Sequence, residues 1–211
     1  MLKRQIAIGD IHGCYDLLKE LIEEVIRFDP SGDMLIFLGD YIDRGEKSRE
    51  VAEYVSRLRE RHPDAVILLK GNHEALAYDA LTAKESRREM VLWHLNGGDK
   101  TIASYGSVGH AKEYLIPFIE SLELFYETDT HIFVHGGIPY GRSLITVTPE
   151  DLLWDRSFSY KGEKVLIIGH TPKSEVATFN QGKIICVDTG AYMTGVLSAY
   201  DTVNDKVYRA E

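Results

Sequence analysis

Five short segments hold most of the residues in this chain whose side chains can do chemistry. They are Gly9-Asp10-Ile11-His12-Gly13, Gly39-Asp40-Tyr41-Ile42-Asp43-Arg44-Gly45, Gly71-Asn72-His73-Glu74, His135-Gly136-Gly137 and Gly169-His170-Thr171. Aspartate, asparagine and histidine supply the oxygen and nitrogen donors that hard or borderline divalent cations accept. The flanking glycines let the backbone approach a metal–phosphate cluster and take unusual φ values. A carboxylate between two cations lowers their mutual repulsion, and Asp40, in the central motif, is the natural bridge. Any one of these residues alone has a simpler reading, because an Asp after a strand is commonly a helix cap or turn former. Turn chemistry does not call for a set such as His12, His135, His170, Asp10, Asp40 and Asn72 spread over five glycine-flanked segments.

The elements that must position these groups are legible from the pattern of apolar residues. Gln5–Ile8, Met34–Leu38 and Val66–Leu69 are short apolar runs, each ending at Gly-Asp, Gly-Asp or Gly-Asn. Runs of this length read as strands buried on both faces. Helical periodicity follows the first two: Leu17, Leu18, Leu21, Ile22 and Val25 make one apolar face, and Val51, Tyr54, Val55 and Leu58 another. Alternating strand and helix predicts parallel βαβ units. In an open α/β sheet ligands bind beyond the carboxyl ends of the strands, so the three turns converge on one edge. The stretch 75–120 reads as mainly helical, broken at Asn96-Gly97-Gly98, with Pro117 starting a further helix. It is expected to lie over the site as an insertion. The remainder reads as strand at about 122–127, 131–135, 165–168, 183–187, 195–200 and 206–209.

The ordered set of motifs resembles the PPP-type metallophosphoesterases, the family of serine/threonine phosphoprotein phosphatases. It is most similar to the compact bacterial and phage-lambda-type members, with symmetrical dinucleoside tetraphosphate hydrolases as near relatives. The family signature runs GDxHG, GDxVDRG, GNHE and then two single-histidine motifs; here Ile42 stands where valine is usual. Val187-Asp188-Thr189-Gly190-Ala191 resembles a further segment of the compact members. The resemblance implies an α/β fold, a calcineurin-like sandwich of two central β-sheets flanked by helices, in one domain over 1–211. It implies that Asp10 and His12 bind a first metal, that Asp40 bridges, and that Asn72, His135 and His170 complete a second. Two divalent ions are expected, Mn2+ first, with Fe or Zn as alternatives. A bridging hydroxide would attack phosphorus directly, without a phosphoenzyme. Arg44 and Arg156, the latter in Leu153-Trp154-Asp155-Arg156, would hold the phosphoryl oxygens alongside Asn72. His73 would protonate the leaving alkoxide, with Asp43 orienting the ring and keeping it charged.

Composition narrows the classes further. The chain has 211 residues, 44% of them apolar, and a net charge of -9. Such an acidic chain should not bind nucleic acid or an anionic membrane through its overall field, and attraction for phosphate must be local. Two cysteines, Cys14 and Cys186, form no CxxC and no disulfide framework, which suits a reducing compartment. The longest apolar runs are strand-sized, and no apolar leader follows Met1, so a soluble cytoplasmic protein is expected. The Cys-x5-Arg loop of cysteine phosphatases is absent. His62, His110 and His131 read as surface or loop residues, Cys14 as a packed side chain and Glu74 as a helix-start residue. His94 lies in a WLxNGG-like segment that could touch substrate. The charge mixture of Lys84, Glu85, Arg87, Arg88 and Glu89 reads as a solvated face. The leading expectation is a phosphomonoesterase acting on phosphoserine and phosphothreonine proteins, extending to phosphotyrosine. The alternative is a symmetrical dinucleoside tetraphosphate hydrolase. A scaffold with a dead site is a third reading, against which every expected ligand type is present.

Overall fold

The apolar runs and the helical repeats form the elements they predict. The computed structural model describes residues 3–83 and 87–211. In chain order they form β1 (Arg4–Ile8), α1 (Tyr15–Glu20, prolonged by a π-helical stretch Leu21–Ile26), β2 (Asp33–Phe37), α2 (Ser48–Arg61), β3 (Val66–Leu68) and α3 (Asn72–Thr82). Three more helices follow, α4 (Arg87–Leu95), α5 (Gly98–Tyr105) and α6 (Val108–Glu120). The remainder is β4 (Phe125–Glu127), β5 (His131–Val134), α7 (Pro149–Trp154), β6 (Val165–Ile168), β7 (Ala177–Phe179), β8 (Ile184–Cys186), α8 (Ala191–Thr194), β9 (Leu197–Asp201) and β10 (Lys206–Ala210).

Two five-stranded sheets result, ordered β10-β9-β1-β2-β3 and β4-β5-β6-β8-β7. In the first, β1, β2 and β3 run parallel, with Ile8 opposite Phe37 and Phe37 opposite Leu68. In the second, β5, β6 and β8 run parallel between antiparallel edge strands. The face-to-face layer between the sheets holds Ala7, Ile36, Leu38, Leu69, Phe133, Ile167, Ile185 and Val187. The outer face of the first sheet packs on the helices through Leu18, Leu21, Ile22, Val51 and Val55. That is why β1 to β3 are apolar on both faces rather than alternating. The sandwich of two sheets with flanking helices is the expected fold class.

The boundaries differ from the sequence reading where local signals mislead. Pro117 does not start a helix but lies inside α6. Ser107 caps that helix, its Oγ accepting from the His110 N–H at 3.1 Å. The buried face of Ala111, Leu115, Phe118 and Ile119 offsets the backbone hydrogen bond that proline removes. Strand β7 and helices α7 and α8 carry no strong period and were not predicted. Lys84 and Glu85 lie outside the described residues, while Arg87 and Arg88 are exposed. Among the described residues no helix is long and apolar enough to cross a membrane.

The parallel strands of both sheets deliver their carboxyl ends to one edge. Asp10 follows β1, Asp40 follows β2, Asn72 opens α3 after β3, His135 follows β5, His170 follows β6 and Asp188 follows β8.

Candidate metal and phosphate site

The turns that carry these residues are tight, and several of them are strained. His12, Asp40, Asp43, Arg44 and His170 all have positive φ, between 46° and 71°. Non-glycine residues take that conformation rarely and at a cost, and they cluster where function holds them there. Gly39 (φ 104°) and Gly71 make the convergence possible. A Cβ on Gly39 would collide with the Gly71 nitrogen, and one on Gly71 would collide with the Asp40 carboxylate.

Asp40 is the shared member of two donor groups among the described residues: His12, Asp40 and His73 in one, Asp40, His135 and His170 in the other. The hydrogen bonds around them fix which ring nitrogens are free. His135 Nδ1 lies 2.9 Å from the Leu38 carbonyl, which can only accept, so Nδ1 carries the hydrogen and Nε2 presents its lone pair. That lone pair faces Asn72 Oδ1 at 2.8 Å, His170 Nδ1 at 3.1 Å and Asp40 Oδ2 at 3.4 Å. His12 is arranged likewise. Its Nδ1 donates to the Ile42 carbonyl at 2.8 Å, and its Nε2 faces Asp40 Oδ2 at 3.4 Å. His170 Nε2 is buried without a partner. Converging lone pairs of this kind are what a cation satisfies, and the donor set fits two divalent ions sharing Asp40.

Electrostatics point the same way. Burial raises Asp10 and Asp40 well above the ordinary carboxylate range, with Asp188 adding to the shift at Asp10 and Glu74 to that at Asp40. Burial lowers His12 well below the usual imidazole range, His135 to about 3 and His170 to about 2. Neutral imidazoles are ready to ligate, and buried carboxylates need a cation to ionise.

Not every expected site residue falls where the motifs suggest. Asp10 lies outside both donor groups; its two oxygens accept the His170 N–H at 3.1 Å. Arg44 reaches into the cluster, its Nη1 2.8 Å from His12 Nε2, while its guanidinium lies 4.7 Å from the Tyr192 ring centroid. Arg156 is exposed at the rim and donates to Thr171 Oγ1 at 3.2 Å, yet it is near enough to lower the His73, His135 and His170 imidazoles. His94 is exposed on α4.

His73 Nδ1 pairs with Asp43 Oδ2 at 2.7 Å, as expected of an oriented ring. Burial works against the expectation that Asp43 keeps this ring charged. Burial, then Arg44 and Arg156, lowers the imidazole to about 3, and burial pushes Asp43 up to about 7. Desolvation of both partners outweighs their attraction.

Several residues that hold the site were given no role there by the motifs. Trp93 Nε1 and Thr101 Oγ1 donate to Asp43 Oδ1 at 2.9 and 2.6 Å. Glu74 sits at the start of α3, as its position suggested, but works on another motif. Its carboxylate accepts the N–H groups of Asp40, Tyr41 and Gly71, each at 2.9 Å. Tyr192 and Asp188 come from the segment after β8. Only the Val187–Ala191 resemblance pointed there, and it assigned no role.

Comparison with known proteins agrees with this geometry. Residues 3–197 match the model of the calcineurin-like phosphoesterase family. A serine/threonine-protein phosphatase 1 of Salmonella typhimurium is 33% identical over 90% of this chain and 88% of its own length. An asymmetrical bis(5'-nucleosyl)-tetraphosphatase of Halalkalibacterium halodurans is 28% identical over 91% of this chain and 87% of its own length. A symmetrical one of Methylococcus capsulatus is 34% identical, but over 63% of this chain and 42% of its own length. A solved protein serine/threonine phosphatase of Saccharomyces cerevisiae superimposes with a TM-score of 0.72 at 18% identity, covering 99% of this chain and 80% of that one. The chain belongs to the calcineurin-like phosphoesterase family and is a hydrolase of phosphate esters.

Proposed function

We propose that the chain is a dimetal phosphomonoesterase acting on phosphoserine and phosphothreonine proteins, with phosphotyrosine within its reach. The observation that carries this reading is Asp40, one carboxylate shared by the imidazoles of His12 and His73 in one group and of His135 and His170 in the other, with Arg44 reaching into the cluster and Arg156 near it. The ligands in this reading are Asp10 and His12 for one ion, Asp40 for both, and Asn72, His135 and His170 for the other. Held by these residues, divalent ions would lower the pKa of water to near neutrality and would so supply a hydroxide nucleophile. Manganese is the ion we expect.

The remaining steps fall to side chains. Arg44 and Arg156 present paired donors and permanent charge to the phosphoryl oxygens, and Asn72 lies beside them. Tyr192 braces Arg44 from behind. His73 gives its proton to the departing alkoxide from Nε2, while Asp43 holds Nδ1. The two arginines that depress this imidazole are the groups a phosphate dianion would neutralise. Substrate binding would offset the part of the shift that the arginines cause, moving His73 in the direction its role needs, while burial, the larger cause, stays. We read 1–211 as one domain, because a single apolar layer joins the two sheets, and place it in the cytoplasm on its two free cysteines.

The Salmonella relative, similar along nearly the full length of both chains, favours a phosphoprotein substrate. A second reading, hydrolysis of dinucleoside tetraphosphates, is favoured by the Halalkalibacterium relative, which also covers most of both chains. The two separate in one experiment with manganese-loaded protein, comparing turnover of a phosphoserine peptide and of diadenosine tetraphosphate. Higher kcat/KM on the peptide is expected; a preference for the dinucleotide would replace the first reading with the second.

A further inference from the structure

The turn between α4 and α5 is pressed onto the arginine of the second motif. The Arg44 N–H donates to the Gly97 carbonyl at 3.2 Å. A Cβ on Gly97, whose φ is 97°, would lie 2.7 Å from the Arg44 nitrogen. Glycine is what lets the two stretches of chain meet so closely. Beside this contact lies an open cavity of about 370 Å3, with Arg44, Tyr192, Leu95, Asp99 and Lys100 among the residues that line it. The Arg44 guanidinium sits 4.7 Å from the centroid of the Tyr192 ring. The cavity therefore adjoins the place assigned to the phosphoryl group.

The lining has both apolar surface and a definite charge. Leu95 is 80% and Tyr192 37% exposed, so a long side chain entering the cavity has apolar surface to cover. Lys100 is not free to meet an anion, because its Nζ lies 2.6 Å from Glu46 Oε1. Asp99, exposed in the first turn of α5, has no ion pair among the described residues. With a phosphate on Arg44, the space beyond it keeps a carboxylate, a lysine already paired and apolar walls. A lysine or arginine side chain matches that lining: its methylene stem covers apolar surface while its charged head reaches the carboxylate. A second phosphate joined to the first would meet like charge instead.

We propose that this cavity is a specificity subsite, taking a basic side chain close to the phosphorylated residue of a protein substrate and rejecting a polyphosphate chain, with Asp99 as its determinant. This rests on the phosphoprotein reading and narrows it to substrates with a basic neighbour. An aspartate kept only for the helix N-terminus would act differently. Its replacement would change the melting temperature and leave the relative turnover of substrates as it was.

The test uses phosphoserine peptides carrying a single arginine, alanine or glutamate at each of the positions nearest the phosphoserine. Their turnover by manganese-loaded protein is compared with that of diadenosine tetraphosphate and p-nitrophenyl phosphate. In one register arginine should raise kcat/KM over alanine roughly 2- to 5-fold, the worth of one exposed ion pair, and glutamate should lower it. Asp99→Asn should remove the arginine preference. Asp99→Lys should reverse it and raise kcat/KM on diadenosine tetraphosphate. Both variants should turn over p-nitrophenyl phosphate as before, since it carries nothing to fill the cavity. No arginine preference in any register, with the peptides still favoured over the dinucleotide, overturns this proposal alone, and so does a preference that survives Asp99→Asn. A dinucleotide favoured over every peptide by the unsubstituted chain removes the phosphoprotein reading and this proposal with it.

Discussion

His73 shows how much of a residue's role is set by what faces each of its nitrogens. Nδ1 is committed to Asp43 at 2.7 Å, so only Nε2 can serve a substrate. His73→Asn should therefore lower kcat on phosphoserine peptides roughly 100- to 10,000-fold, the usual worth of general acid catalysis. Loss on p-nitrophenyl phosphate should be much smaller, because that leaving group departs without a proton; equal losses on both would remove His73 from the role. Arg156 and Asp40 separate in the same way. Arg156 touches Thr171 and no metal donor, whereas Asp40 belongs to both donor groups. Arg156→Ala should keep its metal content and lose about 2.7–4 kcal/mol of transition-state stabilisation, the usual worth of one preorganised donor. Asp40→Asn should lose metal and activity together. Metal analysis beside kcat/KM on both variants checks the pair, and metal loss in Arg156→Ala would reassign the phosphate contact.

At the scale of elements, the site depends on helix residues that are not ligands themselves. Glu74, in the first turn of α3, ties the loop after β2 to the turn after β3 by accepting the backbone N–H groups of Asp40, Tyr41, Ile42 and Gly71. A glutamine there has one accepting oxygen and a donor amide, leaving at least one buried N–H unsatisfied. Glu74→Gln should cost about 1–3 kcal/mol of stability, read as a lowered denaturant midpoint with an unchanged slope. Helices α4 and α5 reach the site through Trp93 and Thr101, both bonded to Asp43. Trp93→Phe removes one donor while filling most of the volume. Its effect should appear on phosphoserine peptides, where His73 must act as an acid, and much less on p-nitrophenyl phosphate. An equal effect on the two substrates would mean that α4 matters only for packing.

For the whole molecule, the two-metal reading links metal and fold, because Asp10 and Asp40, the carboxylates it assigns to the ions, are buried and pushed well above the ordinary carboxylate range. Chelation should abolish hydrolysis of p-nitrophenyl phosphate, and manganese should restore it. At free Mn2+ 100 times its dissociation constant the fold should gain about 2.7 kcal/mol from binding alone, visible as a raised melting temperature. Full activity in rigorously metal-free protein would refute the two-metal reading. The field of the molecule as a whole does not recruit phosphate, since the net charge is -9. Arg44 and Arg156 must do so locally, and added salt should weaken substrate binding less than for a protein with a basic surface.

The sequence alone determined the parallel strands, the edge at which their turns meet, and the family of the chain. Apolar runs ending in Gly-Asp or Gly-Asn encode both a buried strand and the tight turn that follows it, and that information is local. The reach of α6 was not local: Ser107 and a buried apolar face extend it through Pro117. The supporting groups were not local either. Trp93 and Thr101 meet Asp43 across 50 and 58 residues of chain, and the main chain at Val187 and Asp188 packs on Gly9 across the junction of two sheets whose strand order no periodicity states. The direction of the His73 shift has a related cause. Contact with a carboxylate can be guessed from a motif, but desolvation depends on everything packed around the pair, and here it outweighs the attraction.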